Sequence, residues 1–244
     1  MQIVGLIPSR YASVRFPAKP LALLSGKPMV IHVLDAARAS RRLDRVAVAT
    51  DDERIAEVVR AAGGEAVMTS TEAASGTDRL AEAARSLRGD VYVNVQGDEP
   101  LMDPENIDRA VDALLAAPGR EIASVWVPMP VGEASDPNAV KVAVARDGRA
   151  LYFSRSPIPY PRGGVASYRK HLGLYAYRAA ALATIAALPP SDLEKSESLE
   201  QLRWLEAGYA IWMAEAAADS IGVDTPEDLS RAEAWMRKSM EARA

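Results

Sequence analysis

Apolar residues recur along this chain with two periods. Short, mostly apolar runs at 2–8, 45–50 (with Val46-Ala47-Val48-Ala49 at its heart), 66–68 and 91–95 have the length of buried strands. Between them the spacing lengthens to three and four. Met29, Val33, Leu34 and Ala37 follow Pro28, and Ile55, Val58 and Val59 follow Asp51-Asp52. Helical spacing also runs over 77–87 and 104–115. Pro28 and Pro104 suit a first helical position, and Asp51 or Asp52 suits a cap. Ser25-Gly26, Gly63-Gly64 and Ser75-Gly76 are the breaks. Strands alternating with helices predict a doubly wound α/β sheet with right-handed crossovers.

Past residue 120 the rhythm changes. Runs at 122–127, 140–145 and 151–153 read as strands with no helix between them, and Asp147-Gly148 is a hairpin signal. The expectation is a three-layer sandwich with a mixed, mostly parallel sheet and a smaller antiparallel excursion. Pro157, Pro159, Pro161 and Gly163-Gly164 mark a loop. A strand at 171–177, helices at 179–187 and 194–207, a strand at 209–213 and a helix from Pro226 complete the chain. With no repeat or linker, residues 1–244 read as one domain, in which 120–178 holds a smaller β subdomain and a candidate dimer interface.

Composition narrows the classes. Of the 244 residues, 49 % are apolar and 25 % charged, which suits a soluble protein with a sizeable core. A net charge of −4 argues against a general nucleic-acid binder but leaves room for a local basic site. The absence of Cys excludes disulfides and thiolate metal sites. No signal peptide is read at the start, and no apolar run approaches the ~18 residues of a membrane span. The expected location is the cytoplasm.

Arg10, Arg15 and Lys19 follow the first strand closely, at what should be the carboxyl edge of a parallel sheet. They read as a phosphate grip or as a solvated basic turn. Asp98, in Val93-Asn94-Val95-Gln96-Gly97-Asp98-Glu99-Pro100, follows another buried strand and should share that edge. A carboxylate there is costly to desolvate unless it is paired or binds metal, and magnesium with substrate phosphates suits it; a turn Asp is the plainer alternative. In Gly222-Val223-Asp224-Thr225-Pro226-Glu227-Asp228-Leu229, Thr225 is the N-cap, Pro226 the first helical residue and Asp228 the third. Asp224 precedes the cap and can face a site. Ser75-Gly76-Thr77-Asp78-Arg79 offers N–H groups and hydroxyls to a base edge or anion, or is a simple cap.

Two histidines, His32 and His171, sit apart. His32 reads as a packing residue of its helix. His171 opens an apolar strand, as a ligand contact or a satisfied core group. Neither supports zinc, and no Ser stands in a nucleophile elbow. Over 194–205, Leu199, Leu202 and Leu205 form a seam, with Glu197 and Gln201 on another face beside Glu200. That face is either solvated or suited to sugar hydroxyls.

Taken in order, these stretches resemble one family. The segments are Ile7-Pro8-Ser9-Arg10-Tyr11-Ala12-Ser13-Val14-Arg15-Phe16-Pro17-Ala18-Lys19-Pro20, Ser75-Gly76-Thr77-Asp78-Arg79 and Val93 to Pro100. Asp136-Pro137-Asn138-Ala139-Val140-Lys141-Val142, Leu151-Tyr152-Phe153-Ser154-Arg155-Ser156-Pro157-Ile158-Pro159 and Lys170-His171-Leu172-Gly173-Leu174-Tyr175 follow. Glu197-Ser198-Leu199-Glu200-Gln201-Leu202-Arg203 and Gly222 to Leu229 complete the set. Nearly the whole chain is similar to the 3-deoxy-manno-octulosonate (Kdo) cytidylyltransferase family. The resemblance implies a nucleotidyltransferase-type α/β sandwich, a homodimer, and transfer of CMP from CTP to the anomeric hydroxyl of Kdo for lipopolysaccharide precursors. By that resemblance Arg10, Lys19 and Asp98 are catalytic, and Arg10, Arg15 and Lys19 hold the triphosphate. Ser75, Gly76, Thr77 and Arg79 lie near the nucleoside, and Asp98 and Asp224 ligate Mg2+. Gln96, Arg155, His171, Tyr175, Glu200 and Gln201 line the sugar-acid site, with Arg155 and His171 lending positive charge to its carboxylate.

Three features depart from the family pattern. Ala18 stands where Gly is expected, Ala73-Ala74 replaces a polar pair, and the loop at 161–167 is short. They keep open a modified acceptor such as 8-amino-Kdo, or another sugar acid. A non-catalytic nucleotide-binding module and a metal-dependent glycosyltransferase are the rivals from other classes.

Overall fold

The structure is a computed structural model and describes residues 1–12, 16–73, 75–164 and 167–241. Its elements in order are β1 (Ile3–Ser9), β2 (Leu23–Leu24), β3 (Lys27–Pro28), α1 (Met29–Arg38), β4 (Arg45–Thr50), α2 (Glu53–Ala61), β5 (Glu65–Met68), α3 (Gly76–Ser86), β6 (Val91–Asn94) and α4 (Pro104–Leu115). There follow β7 (Ile122–Met129), β8 (Lys141–Val144), β9 (Ala150–Ser154), β10 (Tyr168–Arg178), α5 (Ala179–Ala186), α6 (Asp192–Glu197), α7 (Gln201–Glu206), β11 (Ile211–Glu215) and α8 (Pro226–Glu241).

The main path of the sheet runs β11-β7-β10-β6-β1-β4-β5. β1 pairs in parallel with both β4 and β6, β4 with β5, and β7 with β11. β10 runs antiparallel to β6 and β7. β7 therefore belongs to the main sheet, and the antiparallel excursion narrows to the β8–β9 hairpin, which hangs from β10 at the Lys170–Lys141 pair. Gly148, at φ 93, turns that hairpin as its sequence predicts.

Strand alternation divides the core into two layers. On β1, Ile3 and Ile7 point to the side covered by α1, α2 and α4, and Val4 and Leu6 to the side covered by α3, α5 and α7. β10 repeats the division, with Leu172, Leu174 and Ala176 on the first side and Tyr175 and Tyr177 on the second. The result is the expected three-layer α/β arrangement.

The chain order creates the site. From β1 the chain moves outward through β4 and β5, then returns to place β6 on the opposite flank of β1. The segments after β1 and β6 flank the crevice at this switch point, where open α/β sheets bind ligands.

Two local departures matter. Pro28 caps α1 instead of occupying its first turn, because its ψ of 138 is extended. The single helix expected over 194–207 is two, broken at Ser198, whose φ of 51 and ψ of 49 are left-handed. Helical spacing survived the break because the leucine seam still packs on one side, with Leu199 and Leu202 buried.

Candidate active site

Two close approaches build the crevice. A Cβ on Gly97 would lie 2.5 Å from the Pro8 carbonyl oxygen and 2.9 Å from Ser9 Oγ, so only glycine lets the segment after β6 touch the end of β1. The Val223 N–H donates to the Asp98 carbonyl at 2.8 Å, which brings the segment before α8 beside Asp98. There Asp228 accepts from the N–H groups of Asp224 and Thr225, and Thr225 Oγ1 accepts from the N–H of Asp228. This reciprocal cap fixes Asp224 at the helix start.

Lys19 lies across from both. Its ammonium donates to Asp98 Oδ2 at 2.9 Å and to Asp224 Oδ1 at 3.0 Å. The loop that carries it is closed by the Ala18 N–H, which donates to the Tyr11 carbonyl at 3.1 Å. Ala18 itself sits at φ 57, ψ 23. The position expected to hold glycine does require the left-handed region, and this chain accepts the strain of a Cβ there. Arg10 is exposed and has no ion-pair partner among the described residues. Arg15 lies outside the described residues, as does Ala74.

Three sequence-distant cations and carboxylates thus meet: one ammonium between two carboxylates from different loops. The ammonium shows that this place suits a cation. Its donors are carboxylate oxygens, which fit a hard ion such as magnesium, bound typically through one or two carboxylates with phosphate and water completing the shell. Among the described residues no cluster of three or more His, Cys, Asp or Glu that could hold a metal is present. Glu99 stands next to Asp98, and desolvation pushes its carboxyl up to about 7.

The residues that the resemblance assigns to the nucleoside and to the sugar acid, separate in sequence, touch directly. Ser75 caps α3 by accepting from the Asp78 N–H, and its hydroxyl donates to Glu200 Oε1 at 2.9 Å. Thr77 Oγ1 donates to Glu200 Oε2 at 2.8 Å. Burial raises the Glu200 carboxyl above its ordinary range, and the two hydroxyls oppose that rise. The break at Ser198 makes this possible. It turns Glu200 toward α3, while Glu197 accepts from Ser154 Oγ at 2.6 Å and from the Arg155 N–H at 2.9 Å. Gln201, the next residue, is buried. Gln96 borders the crevice, its Cγ only 3.3 Å from where a Cβ on Gly173 would stand.

Three residues sit differently from a simple ligand role. Arg155 is engaged by main-chain carbonyls: Nε donates to Glu197 at 2.7 Å, Nη1 to Pro137 at 2.8 Å and Nη2 to Ser198 at 3.3 Å. It pins the helix break to the β8–β9 hairpin. Arg79 is 3 % exposed, with Nη2 donating to Asp51 Oδ2 at 2.8 Å and Nη1 to Thr69 Oγ1 at 2.5 Å. It ties α3 to the ends of β4 and β5. His171 is 8 % exposed and packs edge-on to Phe153, beside Tyr175. Ser124 Oγ directs its proton to the Leu174 carbonyl at 2.8 Å, so His171 Nε2, 2.9 Å away, is the donor to that hydroxyl. Burial lowers the imidazole to about 3, so His171 is neutral and lends no positive charge to a carboxylate. Just beyond it, between Leu172 and Tyr175, the β10–β7 register shifts, and Ser124 donates to the Leu174 carbonyl inside that irregularity.

Two contributors escape a reading of spacing. Of the two candidate caps, Asp52 caps α2, and Asp51 is instead the partner of Arg79. Lys141 is fully buried, its ammonium donating to the Asp136 carbonyl at 2.8 Å and to that of Arg155. A lysine inside the apolar alternation of a strand was the available signal.

Comparison with known proteins identifies the family. The sequence model of the Cytidylyltransferase family matches residues 4–214. A 3-deoxy-manno-octulosonate cytidylyltransferase of Anaeromyxobacter dehalogenans (strain 2CP-C) is 51 % identical over 238 residues, covering 96 % of this chain and 97 % of that protein. One of the same name from Trichlorobacter lovleyi is 48 % identical over 251 residues, covering 98 % of this chain and all of that protein (100 %). The solved structure of a CMP:2-keto-3-deoxy-manno-octonic acid synthetase complexed with CTP superposes with a TM-score of 0.94 at 44 % identity, covering 98 % of this chain and 100 % of that one. With the switch-point crevice, its paired aspartates and the matched motifs in place, the chain belongs to the 3-deoxy-manno-octulosonate cytidylyltransferase family.

Proposed function

We propose that this protein transfers CMP from CTP to the anomeric hydroxyl of Kdo and releases pyrophosphate, making an activated sugar for lipopolysaccharide. The observation that carries the reading is the convergence of Lys19, Asp98 and Asp224 at the switch point between β1 and β6. The names of close relatives and the CTP complex of the similar synthetase support it.

Such a reaction depends on positioning and on neutralising phosphate charge, and it needs no activated protein nucleophile. Arg10, exposed at the end of β1, and Lys19 hold the triphosphate, with Arg15 as a further cation of the same loop. Asp98 and Asp224 would hold Mg2+, and the charge it would supply there is compensation for phosphate oxygens. Ser75, Gly76 and Thr77 face the nucleoside at the start of α3, where Glu200 joins them to the sugar side. Gln96, Tyr175 and Gln201 line that side, and Arg155 and His171 shape its wall from behind.

Pyrophosphate release tests the reading, with each of the four NTPs against Kdo, 8-amino-Kdo and sialate, with and without magnesium. Release is expected with CTP and Kdo, and only when magnesium is present. No release with CTP and any 2-keto sugar acid overturns it. The reading extends to a homodimer in the cytoplasm, joined through the 120–178 region, where Leu151 is 64 % exposed. Light scattering at micromolar concentration checks the dimer. Among the described residues no helix is long and apolar enough to cross a membrane.

A further inference from the structure

The phosphate loop is held from outside as well as from within. In the β1–β4 register Ser9 stands opposite Thr50, so residues just past each strand face one another. Tyr11, two residues beyond Ser9, meets Arg54 in the first turn of α2, whose guanidinium carbon lies 3.4 Å from the centre of the Tyr11 ring. Asp52 caps α2 and grips the same guanidinium by its edge. Arg54 Nε donates to Oδ1 at 2.9 Å and Nη2 to Oδ2 at 2.6 Å. The edge is thus committed to Asp52 and the face to Tyr11. A planar cation fixed in this way meets an aromatic face without ordering itself anew. The Tyr11 carbonyl, in turn, accepts from the N–H of Ala18, the residue in left-handed conformation directly before Lys19.

We propose that Arg54 is a positioning residue for the triphosphate site: braced by Asp52, it clamps the Tyr11 ring and so keeps the loop closed that presents Arg10 and Lys19. The inference rests on the proposed function for its effect on CTP, but not for its effect on the loop. Arg54 lies in the helix after β4, outside every motif that carries the family resemblance. Lysine at this position would keep a charge but lose the fork to Asp52, and methionine would lose both. A strained Ala18 makes the clamp necessary, because closing the loop costs more than it would with glycine.

Hydrogen–deuterium exchange over the loop amides tests the clamp in the nucleotide-free protein, with KM for CTP as the second readout. Arg54→Met and Tyr11→Leu should each speed exchange at the Ala18 amide by about tenfold, with the double variant no faster than either alone. Tyr11→Phe should keep wild-type protection, since it keeps the ring face. Arg54→Lys should fall between wild type and Arg54→Met. In both disruptive variants KM for CTP should rise about five- to tenfold while kcat stays within about twofold and the melting temperature is unchanged. Unchanged exchange in Arg54→Met overturns the proposal. So does a raised KM in Arg54→Met with Tyr11→Leu like wild type, which would mean that Arg54 meets the triphosphate with its own charge. Faster exchange in variants of a protein that makes no pyrophosphate from CTP would leave the clamp standing and remove the proposed function.

Discussion

Lys19 Nζ stands 2.9 Å from Asp98 Oδ2 and 3.0 Å from Asp224 Oδ1, so one ammonium from the loop after β1 bridges the two carboxylates that the proposed reaction assigns to magnesium. Its side chain is 14 % exposed, against 36 % for Asp98 and 45 % for Asp224. The lysine therefore has two partners in view, the aspartates and an arriving triphosphate.

Removing it separates the two roles. In Lys19→Met the aspartates lose the ammonium they share, so nucleotide-free magnesium should bind about tenfold more tightly than in wild type. KM for CTP should rise by at least about tenfold in the same variant, because the phosphates lose a cation. Titration calorimetry with magnesium alone reads the first effect and steady-state kinetics the second. Magnesium binding weakened by the substitution would mean that Lys19 organises the aspartates instead of competing for them.

Ala18 is the position in the loop where a side chain works against the backbone. At φ 57 an alanine costs about 1–2 kcal/mol relative to its preferred regions, while glycine would cost the unfolded chain up to about 1 kcal/mol in freedom. Ala18→Gly should therefore raise stability by about 0.5–1 kcal/mol with Lys19 in place. Urea denaturation, read as a higher midpoint at constant slope, checks this. A fall of similar size would contradict a left-handed Ala18.

The strand–helix rhythm was legible because each buried run and each amphipathic helix is local, and α4 begins and ends where Pro104 and Leu115 place it. Asp98 and Asp224 were each legible as candidates through their settings, a strand end and a helix cap, but their pairing came only with the family resemblance. What spacing does not carry is direction after a break. Ser198 has no glycine or proline to announce its left-handed turn, yet it sends Glu197 to Ser154 and Glu200 to Ser75 and Thr77. Arg155 likewise shows a free-looking guanidinium in sequence, but three carbonyls converge on it only in the fold. The register shift just past His171 is equally silent, since it depends on how β10 meets β7.

Arg79 illustrates the same point with a measurable consequence. Its side chain is 4 % exposed and that of Asp51 is 13 %, so the pair is largely withdrawn from water. Arg79→Met strands a carboxylate and should cost about 3 kcal/mol, visible in urea denaturation. The double variant Arg79→Met with Asp51→Asn should recover part of that loss. Full stability in Arg79→Met, together with lost preference for CTP over UTP, would instead give Arg79 a direct role at the base.

His171 should make the fold sensitive to acid. Its imidazole is lowered to about 3 from the ordinary 6.5, so the unfolded chain takes up a proton that the folded one refuses. Stability from this residue is complete above pH 6.5 and is lost as pH falls toward about 3. The ceiling of the effect is on the order of 3–5 kcal/mol. His171→Gln keeps a donor for Ser124 but cannot titrate, and it gives up ring contacts with Phe153 and Tyr175. At pH 8 the variant should be less stable than wild type by about 1 kcal/mol, from the lost ring packing. Between pH 6.5 and 4 its stability should decline less steeply, so the two curves approach and cross. Urea midpoints measured at half-unit steps of pH decide it. Parallel curves would mean that His171 takes up its proton within the fold, which would restore it as a positive charge for the acceptor's carboxylate.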